Sequence, residues 1–89
     1  MSLPFLRKEI DGIDKNVLEL LAKRFTIAEQ IGHHKTMVQD VAREKELRHI
    51  WKLQAEALSL SPTFAMALLD LILGESHRIQ STSLQNRIA

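Results

Sequence analysis

Residues 6–34, LRKEIDGIDKNVLELLAKRFTIAEQIGHH, decide how the rest of the chain reads. Two columns of mostly apolar residues recur in this stretch at seven-residue spacing. One holds Ile10, Val17, Arg24 and Ile31; the other holds Leu6, Ile13, Leu20, Ile27 and His34. Such a seam marks a long helix lying along another helix. The expected helix covers about 3–37 and, at 1.5 Å per residue, would be ~50 Å long. A compact chain of 89 residues has a radius of gyration of about 12 Å. A helix of that length therefore needs something outside its own chain to pack on.

Working outward, Asp40 is a good N-cap for a second helix over about 41–58, with Leu47, Ile50, Trp51, Gln54, Ala57 and Leu58 on one face. Ser61-Pro62 pairs a capping serine with a proline at the first helical position. The third helix is expected over about 62–81, with Ala65, Leu68, Leu69 and Ile72 facing inward and a fraying tail beyond. There are three glycines and two prolines, and no stretch alternates with period two. The fold class is all-α: one domain over 1–89, with one long and two shorter helices.

Composition removes other classes. Cysteine is absent, so disulfides are excluded. The four histidines, two of them adjacent, offer little to a metal. The longest apolar run, 64–73, is interrupted by Asp70 and is half the length a bilayer needs. Twelve basic and eleven acidic residues are interleaved, without the basic stripe of a nucleic-acid binder. The N-terminus lacks the pattern of a signal peptide. The expectation is a cytoplasmic protein with no metal or cofactor, no membrane and no nucleic acid, whose thin core is completed by a partner subunit.

The chemistry lies where polar residues interrupt apolar faces. Arg24 sits in the seam between Val17 and Ile31, and Lys35 points within ~20° of it about three turns on. Two long cations placed so can bracket a small anion. Ser76 and Gln80 continue the inner face of the third helix at i, i+4 spacing, and Asp40, Arg43 and Glu44 open the second. Each alone has a structural reading: a snorkelling arginine, a solvated lysine, a cap, a polar helix end. Together they bring polar groups to the buried side of every helix. Arg7 lies seventeen residues before Arg24, ~25 Å along the axis and rotated by ~100°. It cannot share an anion with Arg24 of its own chain. Antiparallel pairing of two first helices would bring it to the Arg24–Lys35 region of the other chain, making two equivalent sites.

These residues resemble the all-helical (type II) class of chorismate mutases. The matching pieces are Leu6-Arg7-Lys8-Glu9-Ile10-Asp11, Ile13-Asp14, Leu20-Leu21-Ala22-Lys23-Arg24, Ala28, Ile31-Gly32 and Lys35. They continue with Asp40-Val41-Ala42-Arg43-Glu44 and Glu75-Ser76-His77-Arg78-Ile79-Gln80. The resemblance covers about 5–81. It implies an intertwined helical homodimer with shared sites, an isomerase converting chorismate to prephenate on the way to phenylalanine and tyrosine. By resemblance, Arg24 and Arg7 of the partner chain hold the substrate carboxylates. Lys35 binds a carboxylate and the ether oxygen, and Gln80 donates to that oxygen. Asp40, Arg43 and Glu44 surround the ring hydroxyl, and Ser76 helps bind a carboxylate.

The reaction is an intramolecular rearrangement in which one C–O bond breaks as one C–C bond forms. It needs no nucleophile, electron sink or metal, in keeping with the residues present. One departure is the connection of four residues between Lys35 and Asp40, shorter than is usual in the family. It leaves room for a substrate altered at that end, 4-amino-4-deoxychorismate. Isochorismate pyruvate lyase is a further reading on the same fold, and a non-catalytic dimerisation or regulatory module is a reading of another kind.

Overall fold

The computed structural model describes residues 1–34 and 40–88, with side chains as far as Thr82. These residues form α1 (Leu3–Gly32), α2 (Val41–Ala57) and α3 (Pro62–Ile88), and no strand occurs among them. α1 starts where Ser2 Oγ accepts from the Phe5 N–H at 3.3 Å and Pro4 occupies the first turn. It ends at Gly32, with His33 as its cap, earlier than the expected 37. The end tightens into i→i+3 bonds, His33 N–H reaching Gln30 C=O at 3.1 Å and His34 N–H reaching Ile31 C=O at 2.9 Å; residues 35–37 lie outside the described residues.

α2 and α3 begin at the two expected caps. Asp40 Oδ1 accepts from the Arg43 N–H at 3.0 Å, and Ser61 Oγ accepts from the Phe64 N–H at 3.2 Å. α3 continues to Ile88, past the expected end at 81. No glycine or proline follows Gly74 to interrupt it.

The turn between α2 and α3 closes by a Schellman motif. Leu60 N–H reaches Ala55 C=O at 2.8 Å, and Ser59 N–H reaches Glu56 C=O at 3.2 Å. That motif puts Ser59 at φ 58°, in the left-handed region where glycine is at ease. Ser59→Gly is therefore expected to raise the unfolding free energy by about 1 kcal/mol. Urea denaturation measures it; an unchanged or lower midpoint would show that glycine's greater unfolded-state entropy outweighs the relieved strain.

α3 is the element on which both other helices pack; α1 and α2 do not pack on each other among the described residues. Its buried face, Ala65, Leu69, Ile72, Leu73, Ser76 and Gln80, follows helical spacing, and Leu69 is fully enclosed. α2 meets it through Leu47, Ile50, Trp51 and Ala55. Ala55 is the buried residue there; the expected Gln54, Ala57 and Leu58 are exposed, because the face turns from Trp51 to Ala55 by i+4. An Arg48–Asp70 ion pair at 2.6 Å links the same two helices at the surface.

α1 packs only by its last third. Leu21, Arg24, Phe25, Ala28 and Gly32 face α3, while residues 1–20 are all exposed. The apolar residues of the seam lie on a neighbouring face and stay open, from Leu6 at 42% exposed through Ile13 at 55% to Leu20 at 64%, while Arg24 alone of the seam is half-buried against α3. The chain measures 55 × 25 × 15 Å with a radius of gyration of 16.3 Å, against about 12 Å for a compact chain of this length. None of its helices, among the described residues, is long and apolar enough to cross a membrane.

Candidate active site

A pocket of about 240 Å³ opens where the end of α1, the start of α2 and the second half of α3 converge. It is smaller than the ~300–1,000 Å³ usual for drug-sized ligands, a size suited to a small acid. Ile27, Ala28 and Ile31 of α1, Leu47 of α2 and Leu73 of α3 form its apolar wall. Its polar wall is Arg24, Asp40, Arg43, Glu44, Ser76, His77 and Gln80.

Each polar group is delivered by a local feature of the sequence. Arg24 belongs to the stripe of α1 that faces α3, so its stem packs while its guanidinium reaches the pocket. There its Nη1 donates to Ser76 Oγ at 3.1 Å. The Asp40 cap fixes the first turn of α2, which sets Arg43 and Glu44 beside the end of α1. Ser76 and Gln80, both 6% exposed, lie one turn apart on the buried face of α3. His77 points away from that stripe toward α2, and its Nε2 lies 3.0 Å from Glu44 Oε2.

The electrostatics favour an anion. Both carboxylates on the wall have partners in the protein: Asp40 takes the N–H of its own helix and Glu44 takes His77. Arg43, half-exposed, pairs with Glu46. Arg24 has only the neutral Ser76 hydroxyl among the described residues. Burial, with the positive charge of Arg43 adding to it, holds the Arg24 guanidinium below its ordinary pKa. A guanidinium stays protonated regardless. The site is thus a cation, partly stripped of water and without an ion-pair partner among the described residues, beside two buried neutral side chains. A small carboxylate is what such an arrangement lacks.

Six of the residues singled out from sequence therefore line one pocket: Arg24, Asp40, Arg43, Glu44, Ser76 and Gln80. Arg7 does not. It lies on the exposed part of α1, ~25 Å along the axis from Arg24. Lys35 lies outside the described residues. His77 was missed as a site residue, although it stands within the Glu75–Gln80 motif. It falls off the apolar stripe of α3, and its partner is 33 residues away. The one local signal was its place next to Ser76.

Two comparisons with known proteins bear on this pocket. The family model described as chorismate mutase type II matches residues 6–81, a span that contains every residue of the pocket wall. The T-protein of Enterobacter agglomerans is 32% identical over 79 residues, which is 84% of this chain and 21% of that protein. The chain spans about a fifth of the length of this curated relative.

Proposed function

The chain belongs to the chorismate mutase type II family, and we propose that its pocket performs the rearrangement of chorismate to prephenate as a step toward phenylalanine and tyrosine. The observation that carries the proposal is Arg24: a partly buried cation, oriented by Ser76, with no counter-carboxylate among the described residues and with the buried Gln80 beside it. The substrate is a flexible dicarboxylate, and its reaction moves no proton. An enzyme for it must hold the compact conformer that brings the reacting carbons together. It must also stabilise the negative charge that gathers on the ether oxygen.

In this reading Arg24 grips one carboxylate with its planar fork, and Ser76 completes the grip. Orientation of this kind supplies up to ~7–11 kcal/mol in the best cases. Gln80 donates an amide N–H to the ether oxygen. That bond strengthens as charge develops, and its loss typically costs ~3–4 kcal/mol. Lys35 joins it there and also binds a carboxylate. Asp40, Arg43 and Glu44 surround the ring hydroxyl.

The active form is a homodimer. The open seam of α1 supports this, as does an apolar groove of about 190 Å³ at the opposite end of the α2–α3 hairpin, lined by Trp51, Leu58, Leu60 and Phe64 among others. Two antiparallel α1 helices would cover the seam and carry Arg7 of each chain to the pocket of the other.

The test is loss of chorismate's ultraviolet absorbance with purified protein, the product being identified by chromatography. Prephenate is the expected product. Inertness toward chorismate, with pyruvate released from isochorismate or turnover of the 4-amino analogue, would replace this reading by one of the related reactions.

Gln80→Glu tests the ether-oxygen role. A carboxyl at this buried position resists ionisation, and only its protonated form can donate. The variant is expected to be about tenfold more active at pH 5 than at pH 8, a direction set by the carboxyl's own titration. Equal activity relative to wild type across that range would remove Gln80 from the ether oxygen.

A further inference from the structure

We infer that His77 is a positioning residue that holds the Glu44 carboxylate in the orientation needed by the ring hydroxyl of the substrate, an inference that rests on the chorismate mutase reading. Ser76 and His77 are consecutive on α3, so their side chains leave the helix ~100° apart. The first meets Arg24 of α1 at 3.1 Å, and the second meets Glu44 of α2 at 3.0 Å. α1 and α2 do not pack on each other among the described residues. The two walls of the pocket are thus placed relative to each other through α3, and these neighbouring residues form a polar link to each wall at the pocket itself.

The bond has a direction. In the role assigned here the imidazole Nε2–H donates and the Glu44 carboxylate oxygen accepts. This occupies Glu44 Oε2 and leaves Oε1 as the oxygen for a donor in the pocket. An unanchored glutamate has three rotatable bonds, and fixing one oxygen removes most of that freedom before the substrate arrives. The Glu44 side chain is 14% exposed and that of His77 31%, so water competes weakly for the bond. Joining α2 to α3 does not itself require this pair. Arg48–Asp70 already links them at the surface, and the apolar face from Leu47 to Ala55 packs them together.

The test is a double-mutant cycle in kcat/KM for chorismate, using His77→Leu, which fills the space without donating, and Glu44→Ala. In the wild-type background His77→Leu is expected to lower kcat/KM about tenfold, and in the Glu44→Ala background by less than about twofold, because the group it acts through is gone. His77→Gln, which keeps an N–H donor, is expected to stay within about threefold of wild type. Equal losses from His77→Leu in both backgrounds would overturn the proposal. So would a His77→Gln enzyme as poor as His77→Leu, or a His77→Leu enzyme as good as wild type. If His77→Leu does not fold, His77→Gln set against His77→Asn, whose shorter amide falls short of Glu44, decides the same question. Equal rates for those two would overturn the role. A wild-type protein inert toward chorismate would instead overturn the functional reading, which distinguishes the two failures.

Discussion

Arg24→Ala is expected to lower kcat/KM for chorismate by about a thousandfold while leaving the protein at least as stable as wild type. The two effects share one cause. Arg24 is partly buried beside a second arginine, and its pKa is lowered first by burial and then by Arg43. A lowered pKa on a basic group means that folding disfavours the charged form relative to the unfolded chain. Because a guanidinium keeps its proton at any accessible pH, this is a constant cost with no pH window of its own. One neutral hydrogen bond to Ser76 and the packed stem offset part of it. A substrate carboxylate would supply a counter-charge, and the same unfavourable placement would then become binding and orientation, as the proposed role requires.

Urea denaturation of wild type and variant, with and without prephenate, separates the terms. Prephenate should raise the wild-type midpoint by mass action and leave that of Arg24→Ala unmoved. A variant that is markedly less stable, or that keeps its prephenate response, would remove Arg24 from the anion site. Arg24→Lys is expected to recover only part of the activity, because a point cation cannot make the bidentate contact.

What could be read from sequence, and what could not, follows from how local each signal is. Caps are local. Asp40 and Ser61-Pro62 announce the starts of α2 and α3 because the side chain that satisfies the first free N–H groups is only three residues from them. Helix ends are less local. α1 stops at Gly32 and α3 runs on to Ile88, although apolar periodicity suggested the reverse in both. Periodicity records burial, and a helix can outlast its buried stripe when nothing breaks it.

The same distinction governs the site. Arg24, Ser76 and Gln80 were legible because each interrupts an apolar stripe. His77 was not, because it sits where polar residues are ordinary and its meaning depends on Glu44 in another helix. The pairing of Arg43 with Glu46, one turn further along α2, has no counterpart in the pattern either. In α1 the sequence presents two apolar faces. The heptad seam is the stronger pattern, yet the face buried within the chain is Leu21, Phe25, Ala28 and Gly32. The stronger pattern is the one left open, which is the expected outcome where it belongs to another subunit.

That open seam leads to the second large effect. Arg7→Ala and Arg24→Ala are each expected to be nearly inactive alone, and mixing the two after co-refolding is expected to restore activity. Arg7 stands on the same unbroken helix as Arg24, seventeen residues earlier, which puts it ~25 Å away. No side chain spans that gap, so one chain cannot use both on one substrate. In an antiparallel dimer each pocket combines Arg24 of one chain with Arg7 of the other. A homodimer of either variant therefore has two defective pockets. A mixed dimer gathers both substitutions into one pocket and leaves the other intact. Random association makes half the dimers mixed, with half their pockets whole, so recovery should approach about a quarter of the wild-type rate. Native mass spectrometry fixes the mixed fraction independently. Mixed dimers without activity would refute the shared pocket, and an Arg7→Ala homodimer with full activity would show that each chain holds its substrate without help from the other.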